Sequence, residues 1–155
     1  MNADKARFLQ HHFVDLLRNL PSDTKPAWGK MTLQQMVEHF VDAVRVASGK
    51  LTLPVVTPEE HLPKMQDFIR SDKPFKENTQ NPIMPEVPAP VRQPTIHQAL
   101  DKLQAELDYF FEVFSANGQL NTTNPIFGHL DYSLNVQLLY KHAVHHLRQF
   151  GVVVG

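Results

Sequence analysis

The chain has 155 residues, of which 42% are hydrophobic and 20% charged, a composition typical of one globular domain. Fifteen Lys and Arg residues oppose sixteen Asp and Glu residues, and the net charge of −1 excludes the basic footprint by which proteins bind nucleic acids or anionic membrane surfaces. Cysteine is absent, which excludes disulfides, an intrinsic thiol nucleophile and cysteine-ligated zinc.

The N-terminal part of the chain predicts a first helix over residues 3–20. Apolar side chains recur there at helical spacing, and Pro21 ends the pattern. They are Phe8, Leu9, Phe13, Leu16, Leu17 and Leu20. The residues before them lack the apolar core of a signal peptide, and no stretch approaches the roughly 18 apolar residues of a membrane span. We therefore expect a cytoplasmic protein that does not enter a membrane.

A capping box predicts the second helix, from Thr32 to about Ser48. Thr32 is the expected N-cap, Gln35 is its partner at the third helical position, and Gly49 is the expected C-terminal stop. The apolar stripe of this helix consists of Met36, Val37, Phe40, Val41, Val44 and Ala47. Such a stripe gives the helix one apolar face to bury against its neighbours.

Residues 51–95 predict an irregular crossover between the second and third helices. Nine of the twelve prolines fall there. A short helix is expected near residues 59–71, whereas residues 73–94 are too rich in proline for regular structure. A loop of this length inside a small domain is typically a functional cover, a partner surface or a partly disordered segment.

Two further helices complete the predicted fold. A second capping box, with Thr95 as N-cap and Gln98 as its partner, opens the third helix, which is predicted to end near residues 117–118. The fourth helix begins near residue 131 or 133 and runs to about Phe150. No alternating strand pattern competes with these helices. Four amphipathic helices with a long crossover predict an all-α chain, a single four-helix bundle over residues 1–155.

Histidine is the residue type that points to chemistry, because nine are present and several cluster in the fourth helix. His142 and His146 are four residues apart and share one helix face, so both can reach one metal ion. His142 and His145, three apart, form a feasible alternative pair. His145 and His146 are adjacent and point about 100° apart, so they do not easily face one centre.

A catalytic metal needs a third ligand, and His39 is the best candidate. It lies near the edge of the apolar face of the second helix. Three neutral imidazoles leave a coordination position for water or substrate, which is typical of a catalytic site. Protonation of the imidazoles competes with the ion, so this pattern predicts that metal affinity falls as the pH drops through the histidine range near 6.5.

Other side chains are candidates for orienting the ligands or the substrate. Gln149, three residues after His146, is placed to orient an imidazole or a water molecule. His129, in the loop before the fourth helix, is near enough in sequence to reach the end of the bundle. Trp28 is expected to anchor its loop on the helices. The His-Glu-x-x-His signature of zinc peptidases is absent, because Ala143 follows His142.

Three sequence segments resemble the DinB-like (DinB/YfiT) superfamily. Residues 28–39, WGKMTLQQMVEH, look like the start of its second helix, and residues 142–149, HAVHHLRQ, look like its fourth-helix motif. The segment Asn-Pro-Ile-Phe-Gly at residues 124–128 is similar to a turn of one bacterial branch of unknown function. The resemblance covers most of the chain, and the crossover contributes little to it.

The resemblance implies a four-helix bundle in which His39, His142 and His146 bind one divalent ion, often zinc or nickel. His145 then faces elsewhere and supports the site or packs beside it. Characterised relatives include thiol S-transferases that use bacillithiol, mycothiol or glutathione, and a mycothiol-dependent maleylpyruvate isomerase; homodimers are common. One position departs from the pattern, because Asn124 stands where this branch is expected to carry histidine.

The leading functional hypothesis is a metal-dependent transferase that joins an external low-molecular-weight thiol to an electrophilic small molecule. The ion would convert the thiol to its thiolate near neutral pH. A metal-dependent hydrolase is the first alternative, but it needs a general base, and Glu38 points about 100° away from its neighbour His39. The second alternative is a non-catalytic binding or stress-response module, in which the histidines hold a structural or regulatory ion or none.

Overall fold

The computed structural model describes residues 2–77 and 87–154, and α-helices dominate these two ranges. The elements, in chain order, are α1 (Asn2–His11), α2 (Phe13–Arg18), α3 (Leu33–Ser48), a 3₁₀ turn (Glu59–His61), α4 (Leu62–Arg70), α5 (Ile96–Ala116), β1 (Thr122–Asn124), β2 (Gly128–Leu130) and α6 (Tyr132–Gln149). The all-α class predicted from the sequence therefore fits broadly, with a small two-stranded sheet added to it. None of the helices in the described ranges combines the length and apolar character that crossing a membrane requires.

The first predicted helix is interrupted at His12, whose φ and ψ of −125° and −33° separate α1 from α2. The hydrogen bonds continue across the break. The amide of His12 donates to the carbonyl of Phe8 at 2.9 Å, and the amide of Leu16 donates to the carbonyl of His12 at 3.1 Å. The break therefore acts as a kink, and Leu9 before it and Phe13 after it are both fully buried.

The second predicted helix, α3, has the bounds and caps that its sequence indicates. The Thr32 hydroxyl accepts a hydrogen bond from the Gln35 amide at 3.1 Å, and the Gln35 side-chain oxygen accepts one from the Thr32 amide at 2.9 Å. Gly49 ends the helix with a φ of +85°, a left-handed conformation that glycine adopts without strain. The capping box therefore fixes where α3 begins and, with it, the register of His39.

Removing this cap provides a test of the local prediction. Thr32→Ala deletes one half of the capping box, so we expect the free energy of unfolding to fall by about 1 kcal/mol. Urea unfolding followed by circular dichroism measures the change. Thr32→Ser keeps the hydroxyl and is the matched control. Equal stability of the alanine and serine variants would contradict this role of Thr32.

Helices α5 and α6 also begin at capped residues. The Thr95 hydroxyl accepts from the Gln98 amide at 3.2 Å, but the Gln98 side chain pairs with that same hydroxyl and not with the Thr95 amide, so only half of the predicted capping box forms. Asp131 caps α6 by accepting from the Leu134 amide at 2.9 Å. Both helices thus start within a residue or two of the positions that the sequence predicts.

A β-hairpin joins α5 to α6, and the sequence did not predict it. Strands β1 and β2 pair antiparallel, with Asn124 opposite Gly128. The Asn124 side-chain oxygen accepts from the amides of Ile126 and Phe127 at 2.9 and 3.0 Å, which closes the turn. The Thr122 hydroxyl donates to the carbonyl of Ala47 at 2.8 Å and so ties the hairpin to α3. Asparagine at position 124 therefore has a turn-forming role of its own.

The core lies where α3 packs on α5 and α6, with α1 against α6 and α2 against α5. Its largest fully buried side chains include Phe13, Phe40, Phe110, Leu103 and Leu107. A second apolar cluster lies between α4, the hairpin and α6, and it contains Ile69, Phe127, Leu130, Leu134 and Leu138. Together the two clusters hold α6 from both sides along the stretch that leads to its histidines.

The predicted crossover has both regular and irregular parts. The 3₁₀ turn and α4 confirm the short helix expected near residues 59–71. Residues 71–77 and 87–95 have no regular secondary structure, as their proline content predicts. Residues 78–86, which carry two of the nine prolines, lie outside the described residues.

Candidate metal centre

Three imidazoles from two helices converge on one point. The Nε2 atoms of His39 on α3 and His142 on α6 lie 3.2 Å apart, and those of His142 and His146 lie 2.8 Å apart. All three ligand atoms fall within 4.8 Å of one another, close enough to hold a metal ion. Two nitrogens bound to one tetrahedral zinc ion are roughly 3.3 Å apart, given Zn–N distances of about 2.0–2.1 Å. The donor set and its spacing therefore fit a divalent ion.

Gln149 fixes which nitrogen of His146 carries the proton. The Gln149 side-chain nitrogen donates to the carbonyl of Trp28 at 2.9 Å, and that carbonyl can only accept. The amide oxygen of Gln149 must then face Nδ1 of His146, which lies 2.7 Å away. Nδ1 therefore carries the hydrogen, and Nε2 of the neutral imidazole presents its lone pair to the cluster.

Three neutral imidazoles cannot form a hydrogen bond at both of the short contacts between Nε2 atoms. With a lone pair on Nε2 of His146, the 2.8 Å contact requires a hydrogen on Nε2 of His142. That one hydrogen cannot also point at Nε2 of His39, 3.2 Å away. One of the two contacts thus lacks a proper hydrogen bond when the imidazoles are neutral. A cation that accepts all three lone pairs removes this conflict.

The loop before α3 is part of the site because it positions Gln149. The Ala27 amide donates to the Gln149 carbonyl at 2.7 Å, next to the bond between the Gln149 side chain and Trp28. Gly29 follows with a φ of +78°, and a Cβ atom there would lie 3.1 Å from the side-chain nitrogen of Gln149. Glycine at this position therefore allows the left-handed turn and leaves room for the amide.

Removing the Gln149 amide should weaken the site. Gln149→Leu leaves Nδ1 of His146 and the Trp28 carbonyl without their partner, so we expect metal affinity to fall by about 10–100-fold and stability by about 1–3 kcal/mol. Titration with a chromogenic zinc chelator measures the affinity. Gln137→Leu, on the same helix but bonded only to Ser133 among the described residues, is the matched control. The same zinc affinity in both variants would refute this role of Gln149.

Desolvation lowers the pKa of all three imidazoles, so they stay neutral at pH values at which an exposed histidine is already protonated. Burial lowers the pKa of His39 to about 4, against a smaller opposing effect of Asp42. Burial and the neighbouring His39 lower the pKa of His146 to about 3. Burial and the adjacent histidines also hold the pKa of His142 well below its ordinary value. Proton competition with a bound ion is therefore expected near pH 4, lower than the sequence alone suggests.

His145 faces away from the three Nε2 atoms. Its ring lies 5.4 Å from that of Trp28 and 5.7 Å from that of Phe75, measured between centroids, and its Nδ1 is buried without a hydrogen-bond partner among the described residues. Burial and Arg148 lower its pKa. The alternative pair of His142 and His145 is therefore not the one that converges, because adjacent helical residues project in different directions.

His129 and Glu38 have other contacts. His129 is exposed on β2, where its Nδ1 lies 3.1 Å from the Thr123 hydroxyl, and the three-histidine cluster forms without it. The buried carboxylate of Glu38 accepts from the amides of Arg92 and Gln93 at 2.6 and 3.1 Å, and these bonds lower its pKa against the opposing effect of burial. Glu38 therefore anchors the end of the crossover on α3.

Sequence reasoning missed two residues beside the cluster, Phe75 and Lys141. The ring centroid of Phe75 lies 6.0 Å from that of His142, and Lys141 binds the backbone carbonyls of Ser71 and Lys73. Phe75 stands in an irregular segment, which shows no periodicity that would place it against α6, and the carbonyl partners of Lys141 lie some 70 positions earlier in the chain. The sequence signal for Phe75 is its aromatic side chain between a proline and charged residues.

Comparison of the chain with protein-family models, with curated proteins and with solved structures finds no match. The likeness to the DinB-like superfamily therefore stays a prediction, which rests on the sequence segments at residues 28–39, 124–128 and 142–149. The site's chemistry rests on its own geometry, namely three convergent imidazole nitrogens, the amide of Gln149 and the burial that keeps the imidazoles neutral.

Proposed function

We propose that this chain is a metal-dependent enzyme with the four-helix bundle of the DinB-like superfamily, which joins a low-molecular-weight thiol to an electrophilic small molecule. The observation that carries the proposal is the convergence of Nε2 of His39, His142 and His146, with Gln149 fixing the tautomer of His146. Zinc or nickel is the ion we expect, because imidazole nitrogen suits both. A cytoplasmic location and a homodimer accompany this proposal as expectations.

Access to the cluster supports an enzyme over a closed structural site. His39 and His142 are partly exposed, whereas His146 is buried. Three protein ligands leave a coordination position free, as in catalytic zinc sites. A divalent ion held by these histidines would act as a Lewis acid and would lower the pKa of a coordinated thiol, so that the thiol loses its proton to solvent near neutral pH.

The chain's own residues have defined roles in this proposal. Neutral imidazoles offer lone pairs without first losing a proton, because desolvation holds their pKa values well below 7. Gln149 holds the ring of His146 in place, and Trp28 holds Gln149. The absence of cysteine means that the sulfur comes from an external thiol. Hydrolysis is less well supported, because the carboxylate of Glu38, the neighbour of His39 in the sequence, already accepts hydrogen bonds from the amides of Arg92 and Gln93.

Thiol conjugation tests the proposal. Protein loaded with zinc or nickel is incubated with glutathione, cysteine or bacillithiol and with 1-chloro-2,4-dinitrobenzene, and the aryl thioether is followed by absorbance. The sulfur forms a bond to the ring carbon, chloride leaves, and the thiol proton passes to the buffer. We expect metal-dependent turnover that requires thiol and is lost in His142→Ala.

Three outcomes would contradict the transferase. Equal rates with native protein and with the His142→Ala variant would show that the cluster takes no part. Ester hydrolysis without any thiol would favour the hydrolase. Bound metal without thiol conjugation of this or other electrophiles would favour a binding module.

A further inference from the structure

An irregular segment, residues 71–77, lies along α6 over the turns that carry its histidines. We call it the strap. Lys141, one residue before His142, donates to the carbonyls of Ser71, at 2.8 Å, and Lys73. At the other end, Arg148 pairs with Glu77 at 3.5 Å. The strap therefore runs in the same direction as α6 and is attached on both sides of the pair His142 and His146.

Phe75 is the strap's inward contact. Its immediate neighbours, residues 72–74 and 76–77, are exposed, whereas Phe75 is partly buried. Its ring meets those of His142 and His145 edge-on, at 6.0 and 5.7 Å between centroids, and it packs at 5.4 Å against Phe68. An isolated apolar side chain in an exposed segment indicates a specific contact.

Phe75 contacts a histidine of the cluster from the strap, whose other side chains are mostly exposed. The other phenylalanine at the cluster, Phe40 of α3, lies 4.6 Å from the ring of His142 but is fully buried in the core. Phe75 therefore contacts His142 from a surface segment, whereas Phe40 contacts it from the core.

We propose that Phe75 is a specificity-determining residue. It makes the site prefer molecules that carry an aromatic or bulky apolar group beside the atom that binds at the three histidines. This inference rests on the proposed function, since it assigns a substrate class to the same site. An aromatic ring beside His142 gains contact area and edge-to-face contacts with such a group, and it offers nothing to a strongly hydrated one.

Thiol binding to cobalt-substituted protein tests the inference without measuring turnover. Cobalt(II) gives a near-ultraviolet charge-transfer band when a thiolate coordinates it. The probes are benzyl mercaptan and 2-mercaptoethanol, which share the thiol but differ in the aromatic group. We expect native protein to bind benzyl mercaptan more tightly, and Phe75→Ala to reduce that preference by roughly 3–10-fold while the affinity for 2-mercaptoethanol stays the same.

Two further variants make the result interpretable. Lys141→Met detaches the strap's first anchor and should lower the preference in the same direction as Phe75→Ala. Phe111→Ala removes a phenylalanine of comparable burial on α5, away from the histidines, and should leave the preference unchanged.

The outcomes separate this inference from the proposed function. Thiolate bands with an unchanged preference in Phe75→Ala overturn the inference about Phe75 and leave the proposed function standing. A preference that falls equally in Phe111→Ala also overturns it, because the effect would then be general. Cobalt binding without a thiolate band from either thiol overturns both.

Discussion

His142→Ala is expected to abolish tight binding of a divalent ion, with zinc affinity reduced by more than about 100-fold. The Nε2 atom of His142 lies between those of His39 and His146, so its loss leaves two nitrogens that no longer share a neighbour. Mutation of a residue that only orients a metal ligand already lowers metal affinity by about 10–100-fold, so removal of a ligand itself should lower it further. Mass spectrometry of metal content and chelator titration measure the loss.

His129→Ala is the matched control for this experiment, because His129 is exposed on the hairpin and outside the cluster. It should retain about one ion per chain. Zinc at a thousand times its dissociation constant should stabilise the native protein and this control by about 4 kcal/mol, and His142→Ala by less than about 1.4 kcal/mol. Unchanged metal content in His142→Ala would refute the three-histidine site.

The second large effect is a loss of stability of the metal-free protein in mild acid. Burial lowers the pKa of His39 from 6.5 to about 4, so between these pH values the unfolded chain binds a proton that the folded chain does not. The contribution of neutral His39 to the free energy of unfolding is therefore fully present above pH 6.5 and is lost as the pH falls toward 4. At about 1.4 kcal/mol for each pKa unit, His39 alone accounts for about 3 kcal/mol.

The lowered pKa values of His142 and His146 act in the same direction. Urea unfolding of chelator-treated protein between pH 7 and 4.8 measures the slope in a range above the ordinary titration of carboxylates. His39→Gln keeps a neutral polar side chain and should reduce the slope by up to one proton, about 1.4 kcal/mol per pH unit. A native stability that is flat across this range would contradict the buried, neutral state of the cluster.

Local sequence signals predicted the parts of the fold that depend on neighbouring residues. The bonds between Thr32 and Gln35 form within one helical turn, and the spacing of His142 and His146 sets their common face. The place of His39 followed from the apolar face of its helix. In each case the residues belong to one helix, and the geometry of that helix is enough to relate their positions.

Features that depend on distant contacts could not be predicted in this way. The strands of the hairpin have three residues each, too few to show alternation, and its turn depends on the side chain of Asn124. The strap follows α6 because Lys141 binds carbonyls some 70 positions earlier in the chain. Gln149 was identified as a candidate, but its partner Trp28 is 121 positions away.

The long sequence separation of His39 and His142 has a consequence for the stability of the fold. Their imidazoles meet across 103 positions of the chain, in a protein that has no cysteine to form a covalent bridge. Any single group that binds both rings acts as a reversible cross-link between the two halves of the sequence. A covalent cross-link that closes a loop of 100 residues lowers the chain entropy of the unfolded state by the equivalent of about 4.7 kcal/mol. An ion chelated by these two rings joins the same positions only in the folded chain, so its stabilising effect depends on its concentration, and acid would release it.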